Sequence, residues 1–237
     1  MSSDLRIILW DIDGTLVRTR RRGVFRDYTA PVLLRVFGTA GRLEELSVSG
    51  MTDLQIIAEA LRDEGYTAEQ VRGRAAEVVP LYLEELERLT GAEDIYYALP
   101  GAREALEASE RAPRYLNSLL TGNVEPAARL KLRLVGLEGF FRLPGAFGED
   151  SHDRRDLPAL ARERLSRHLG LDLKPSQLVV VGDTPNDIAC ARHSGARAVA
   201  VATGHAYTAE DLRAHGPDAV LPDLADTELL LRTLARL

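Results

Sequence analysis

The stretch Ile7-Ile8-Leu9-Trp10-Asp11-Ile12-Asp13-Gly14-Thr15-Leu16-Val17 runs a short, β-branched apolar segment into two aspartates and a glycine turn. A segment this short and this β-branched makes a poor helix, so it reads as a buried strand whose C-terminal end opens at Asp11. In open α/β sheets, ligands sit beyond strand C-termini, where two carboxylates can divide the work of nucleophile and proton donor. Asp followed by Gly is also an ordinary turn signal. The aspartate two places earlier, and the similar segments downstream, favour the catalytic reading.

From about Leu99 onward, strand-like and helix-like segments alternate, which implies βα units on a mostly parallel sheet covered on both faces. The expected strands are Leu5 to Asp11, Tyr115 to Thr121, a short one near Gly145 to Gly148, Leu178 to Asp183, Ala198 to Thr203, and an extra one near Ala219 to Leu221. Residues from about Arg18 to Tyr97 break this rhythm, look helical throughout and suggest no strand. Thr52 with Gln55 and Thr67 with Gln70 fit capping boxes, Pro80 suggests a kink or a break, and Gly91 a helix end. The organisation read from these signals is a catalytic core of residues 1–17 and 98–237 carrying a small helical insertion, 18–97.

Three further constellations fall at expected strand ends. Thr121-Gly122-Asn123 offers a hydroxyl and a glycine N–H to a phosphoryl oxygen, although a polar turn of this kind also forms for purely local reasons. Gly182-Asp183-Thr184-Pro185-Asn186-Asp187 follows a buried apolar run and supplies two acids suited to a hard divalent cation such as Mg²⁺, with Asp183 the firmer ligand. Asp187 has a second role open to it, as the partner of Thr184 in a capping box. In Asp150-Ser151-His152-Asp153-Arg154-Arg155-Asp156, Arg154 is the first choice for a cation that grips phosphate, with Arg155 and His152 as alternatives in a run that solvent alone could account for.

The net charge of −6 argues against nucleic acid or an anionic membrane surface as the main partner and points to a small molecule. Cys190 is the single cysteine, so no intrachain disulfide is available, and it reads as a packed helix residue. Without a basic leader or an apolar segment of membrane-spanning length, the expected setting is the cytoplasm. Arg18, Arg20, Arg21, Arg22 and Arg26 follow the first motif, and either line a solvated hinge or steer an anionic substrate.

The DxDGT run at Asp11 to Thr15, the strand-end Thr121, the re-entry at Leu99-Pro100-Gly101 and the GDTPND run at Gly182 to Asp187 together resemble the haloacid dehalogenase superfamily, specifically its aspartate-dependent phosphatases with a helical cap. The resemblance implies an α/β fold, a Rossmann-like doubly wound parallel sheet of strand order 3-2-1-4-5. It also implies Asp11 as nucleophile and Asp13 as acid and base. Mg²⁺ would then be held by the Asp11 and Asp183 side chains and the Asp13 main-chain carbonyl, with Asp187 in support. Thr121, Gly122 and Arg154 would bind phosphate, and the substrate would be a small phosphorylated metabolite, phosphoglycolate at the level of the family. Residues Ser49 to Asp53 resemble a cap loop that visits the active site in relatives. One departure is the usual third-motif lysine. The lysines here are Lys131 and Lys174, and neither falls at the expected place, so an arginine is inferred instead. A sugar-phosphate mutase and a catalytically weak phosphate-binding module remain as alternatives.

Overall fold

The computed structural model describes residues 4–237. Along the chain run β1 (Arg6–Trp10), β2 (Val17–Thr19), α1 (Val24–Phe37), α2 (Asp53–Leu61), α3 (Ala68–Gly73), α4 (Ala75–Ala92), β3 (Tyr96–Ala98), α5 (Ala102–Arg111) and β4 (Tyr115–Leu119). There follow α6 (Glu125–Leu134), α7 (Leu157–Leu169), β5 (Leu178–Gly182), α8 (Pro185–Ser194), β6 (Arg197–Val201), α9 (Ala209–Ala214), β7 (Ala219–Leu221) and α10 (Thr227–Arg236). Five strands form one sheet in the order β4-β1-β5-β6-β7, with every pairing parallel.

Side-chain alternation explains why this sheet is covered on both faces. Ile8 and Trp10 pack with Val179, Val181 and Leu119 on one side, and Ile7 and Leu9 with Leu178, Val180 and Ala198 on the other. All four β1 residues are fully buried, so truncating one of the aliphatic ones to alanine should cost about 2–5 kcal/mol. Register then fixes the functional edge. Trp10 stands beside Leu119 and Val181, so the next residues of three strands, Asp11, the Leu120-Thr121 pair and the Gly182-Asp183 pair, emerge together.

The expected α/β class holds, while the strand order 3-2-1-4-5 needs correction. The third segment lies beside β4 as expected but makes only an isolated bridge, Leu120 to Ala146. Pro144 donates no amide hydrogen, so the ladder does not extend back past Gly145. The extra segment is a genuine edge strand, β7, outside β6.

A second correction concerns the insertion, which is not strand-free at its base. β2 and β3 form an antiparallel ribbon, Val17 opposite Ala98 and Thr19 opposite Tyr96, through which both connections to the inserted helices pass. The capping boxes at Thr52/Gln55 and Thr67/Gln70 are present. Pro80 lies inside α4 and the helix break falls instead at Arg74, between α3 and α4, while α4 ends at Ala92, one residue past Gly91. Among the described residues no helix is long and apolar enough to cross a membrane.

Candidate active site

Each acidic side chain owes its place to a local device. Asp11 continues β1, its amide bound to the Val181 carbonyl at 2.9 Å. Gly14 takes a positive φ of 89° to close the turn, and a side chain there would run into the Asp183 carboxyl, so glycine both permits the turn and makes room for the acid. Asp187 completes the α8 capping box. It accepts from the Thr184 amide at 3.0 Å and from the Thr184 hydroxyl at 2.6 Å, and a side chain on Gly182 would strike it. Asp187 therefore caps α8 while lying beside Asp11 and Asp183.

Asp11, Asp183 and Asp187 come together as a buried cluster whose carboxylate oxygens lie within 4.8 Å of one another. Burial raises Asp11 to about 7, with Arg154 opposing and Asp187 and Asp13 reinforcing the shift. Burial likewise pushes Asp183 well above the usual carboxylate range, reinforced by Asp11 and Asp187. Three crowded, desolvated acids facing one guanidinium are electrostatically under-compensated, and oxygen donors of this kind suit a hard divalent cation.

That guanidinium is Arg154. A 3₁₀ turn, Arg154–Asp156, aims it inward, where it donates to Asp11 at 3.2 Å, to Asp187 and to the Gly50 carbonyl at 3.3 Å. Burial works against its charge, but Asp187 and Asp11 more than offset this and hold it above the ordinary arginine range. Arg155 instead pairs with Asp153 at 2.6 Å on the surface, and His152 is exposed, offering its main-chain carbonyl to Gln55.

Thr121 is fully buried and accepts from the Asn123 side-chain amide at 2.9 Å. Gly122 lies under the inserted loop, where its carbonyl receives the Asp53 amide at 2.8 Å and a side chain would meet the Met51 carbonyl. The Ser49 to Asp53 loop thus touches the core directly. Asp53 accepts from the Val124 amide at 2.8 Å and the Tyr82 hydroxyl at 3.1 Å, and burial raises it to about 6.

Asp13 is placed beside a residue that linear spacing set aside. Lys131, on the buried face of α6, donates to the two Asp13 oxygens at 3.0 and 2.8 Å and to Asn123 at 2.6 Å, and Asn123 donates to Asp13 at 2.6 Å. Burial opposes the ammonium, yet Asp13, Tyr28 and Tyr96 hold it well above the ordinary lysine range. A readable signal existed. Val124, Ala127, Ala128 and Lys131 share one helical face, and a lysine on an otherwise apolar face needs a buried acid. A cavity of about 220 Å³ joins Asp11, Asp13, Thr121, Gly122, Lys131 and Arg154 to the inserted helices.

A family model described as haloacid dehalogenase-like hydrolase matches residues 8–192. The chain belongs to the haloacid dehalogenase-like hydrolases. Pyrophosphatase PpaX of Bacillus velezensis is 26% identical over 227 residues, covering 92% of this chain and 93% of PpaX. CbbY from Rhodobacter sphaeroides, solved in complex with phosphate, superposes with a TM-score of 0.66 at 22% identity, over 94% of this chain and 96% of that one. A predicted phosphoglycolate phosphatase from Haemophilus somnus gives 0.63 at 22% identity, over 98% and 100% of the two chains. At such identities the two structures speak for the fold. The haloacid dehalogenase match spans the first motif, the Thr121 strand end and the GDTPND run, all in one sheet edge.

Proposed function

We propose that this haloacid dehalogenase-like hydrolase is a Mg²⁺-dependent phosphatase, acting on a small phosphomonoester through an aspartyl-phosphate formed on Asp11. The phosphatase class rests on the family match together with relatives that carry that activity in their names. The single observation that carries the finer reading is the position of Asp11. It stands at a strand end with Arg154, Asp183 and Asp187 around it, and it faces a cavity also lined by Asp13, Thr121 and Gly122. The reading includes a small phosphorylated metabolite as partner and a cytoplasmic setting.

The Asp11 carboxylate attacks phosphorus and the phosphorus–oxygen bond of the ester breaks, a form of carboxylate nucleophilic catalysis. Asp13 protonates the departing alkoxide, then takes a proton from the water that cleaves the acyl phosphate. Lys131 and Asn123 hold the Asp13 carboxyl in one orientation. The Thr121 hydroxyl, the Gly122 amide and the Arg154 fork are the donors for the phosphoryl oxygens. Mg²⁺ fits the Asp11 and Asp183 carboxylates, with the Asp13 carbonyl and with Asp187 in support, and when bound supplies charge neutralisation between carboxylate and phosphate. The loop at Gly50 to Asp53 lies over Gly122 and excludes water from the phosphoryl side.

Phosphate release from a panel of small phosphomonoesters with Mg²⁺, compared with Asp11→Asn and with exhaustive chelation, tests this. Release that survives either treatment undiminished refutes the assignment. An isomerised sugar phosphate in place of free phosphate would identify a mutase, and absence of any turnover would identify a binding module.

A further inference from the structure

The cavity wall opposite the phosphoryl donors is built by the inserted helices and the ribbon: Val24, Phe25, Tyr28 and Ile56, with Thr19 and Tyr96. A volume of about 220 Å³ equals roughly seven waters at about 30 Å³ each, enough for a phosphoryl group and an alcohol of a few carbons. Four observations define what that alcohol can be.

The lysine that lines the cavity from α6 has nothing left to give. An ammonium has three donors, and Lys131 already serves both Asp13 oxygens and Asn123. Nearby Asp53 is a buried acid that repels an incoming anion. None of the arginines after the first motif, Arg18, Arg20, Arg21, Arg22 and Arg26, lines the cavity. Arg20 pairs with Asp94, Arg21 with Asp27 and Glu93, and Arg26 with Glu44. Arg18 alternates with Thr19 along β2, so when Thr19 lines the cavity Arg18 points to the other face of the ribbon.

Tyr96 supplies the opposite signal. It is 5% exposed and packs its ring 5.5 Å from the Lys131 ammonium. Its hydroxyl approaches Tyr28 yet lacks a hydrogen bond of ordinary geometry. A buried hydroxyl without a partner in a ligand cavity is a place for a neutral oxygen of the ligand. An anion there would be desolvated without a counter-charge.

Resting on the phosphatase reading, we propose that the Tyr96 hydroxyl is the specificity-determining contact of the leaving-group pocket, which takes the alcohol of a small uncharged polyol phosphate and rejects esters that carry a second anion. The phosphoryl end of such an ester meets Arg154 and Thr121, and a free hydroxyl on its alcohol pairs with Tyr96.

The test compares kcat/KM of the wild type and Tyr96→Phe, with Mg²⁺, on glycerol 1-phosphate, propyl phosphate and phosphoglycolate. The wild type should prefer glycerol 1-phosphate over phosphoglycolate by at least about tenfold. Tyr96→Phe should lower glycerol 1-phosphate by about 3–10-fold and leave propyl phosphate unchanged. Its melting temperature should match the wild type, because no hydrogen bond is lost. Equal or better use of phosphoglycolate, or an equal loss on glycerol and propyl phosphates, overturns the proposal while leaving the phosphatase reading intact. If the wild type cleaves no ester, both fall together.

Discussion

Replacing Arg154 by methionine removes the one guanidinium that reaches both Asp11, the proposed nucleophile, and Asp187, and the structure sizes the effect. At 3.2 Å from Asp11, a unit charge pair is worth about 5 kcal/mol at an effective dielectric near 20. Desolvation takes back part of this, and breaking a buried pair typically costs about 3–5 kcal/mol. If about 3–4 kcal/mol of it is lost from the transition state, kcat/KM falls roughly 10²–10³-fold, at tenfold per 1.36 kcal/mol. Arg154→Lys keeps the charge but loses the fork that spans Asp11 and Asp187, so it should recover only part of the rate. Arg155→Met is the control. Its side chain is 58% exposed and pairs only with Asp153, a contact worth about 0–1 kcal/mol, so its rate should stay within about twofold. Initial rates of phosphate release with Mg²⁺, on protein shown to be folded by circular dichroism, provide the assay. An Arg154→Met enzyme within threefold of wild type, or an Arg155→Met enzyme equally damaged, refutes the reasoning.

Lys131→Met leaves Asp13 without its ammonium partner and should lower kcat/KM on alkyl phosphates by about tenfold or more, a share of the roughly 10²–10⁴ that a positioned acid–base contributes; an unchanged rate would show that Asn123 alone orients Asp13. The folded-state Asp11 is raised from 3.8 to about 7, so the folded protein binds the extra proton, and metal-free stability should fall as pH rises from about 4 through about 7, by up to roughly 4 kcal/mol. Melting with chelator should show that decline, a shallower one in Asp11→Asn, and a rise on adding Mg²⁺ that is larger at pH 8 than at pH 5; a melting temperature that climbs with pH would contradict the burial argument. Gly182→Ala puts a methyl against the Asp187 carboxyl and should cost about 1–3 kcal/mol of stability as well as activity, read by denaturant unfolding and phosphate release.

How much of this was visible in the sequence depends on how local the signal is. β1 and β5 announce themselves through short apolar runs, and because register carries them to one edge, Asp11, Asp13, Thr121, Asp183 and Asp187 could be named without coordinates. The capping boxes are equally local, a hydroxyl and an acceptor three residues apart. What escaped is what pairs across distance. Val17–Thr19 and Tyr96–Ala98 are three-residue strands paired only with each other, too short for either to carry a strand periodicity of its own. The sequence favours Arg154 over Arg155 and His152 without excluding them, and the 3₁₀ turn separates the inward side chain from its outward neighbour. Lys131 lies in a helix well past its strand end, out of reach of linear spacing, whereas helical periodicity places it with Val124, Ala127 and Ala128 and asks for its acid. The third strand reads correctly in position but not in extent, since it makes one bridge and Pro144 has no amide hydrogen to extend it.

The ribbon of Val17–Thr19 with Tyr96–Ala98 sets the unit that can be exchanged between relatives. A chimaera cut inside either strand would mate strands of different parentage. A slip of one residue would turn Tyr96 out of the chamber and Tyr97 into it. The transplantable cassette therefore runs from Val17 to Ala98 whole. In this architecture, substrate choice and the joint that carries it are inherited as a single piece.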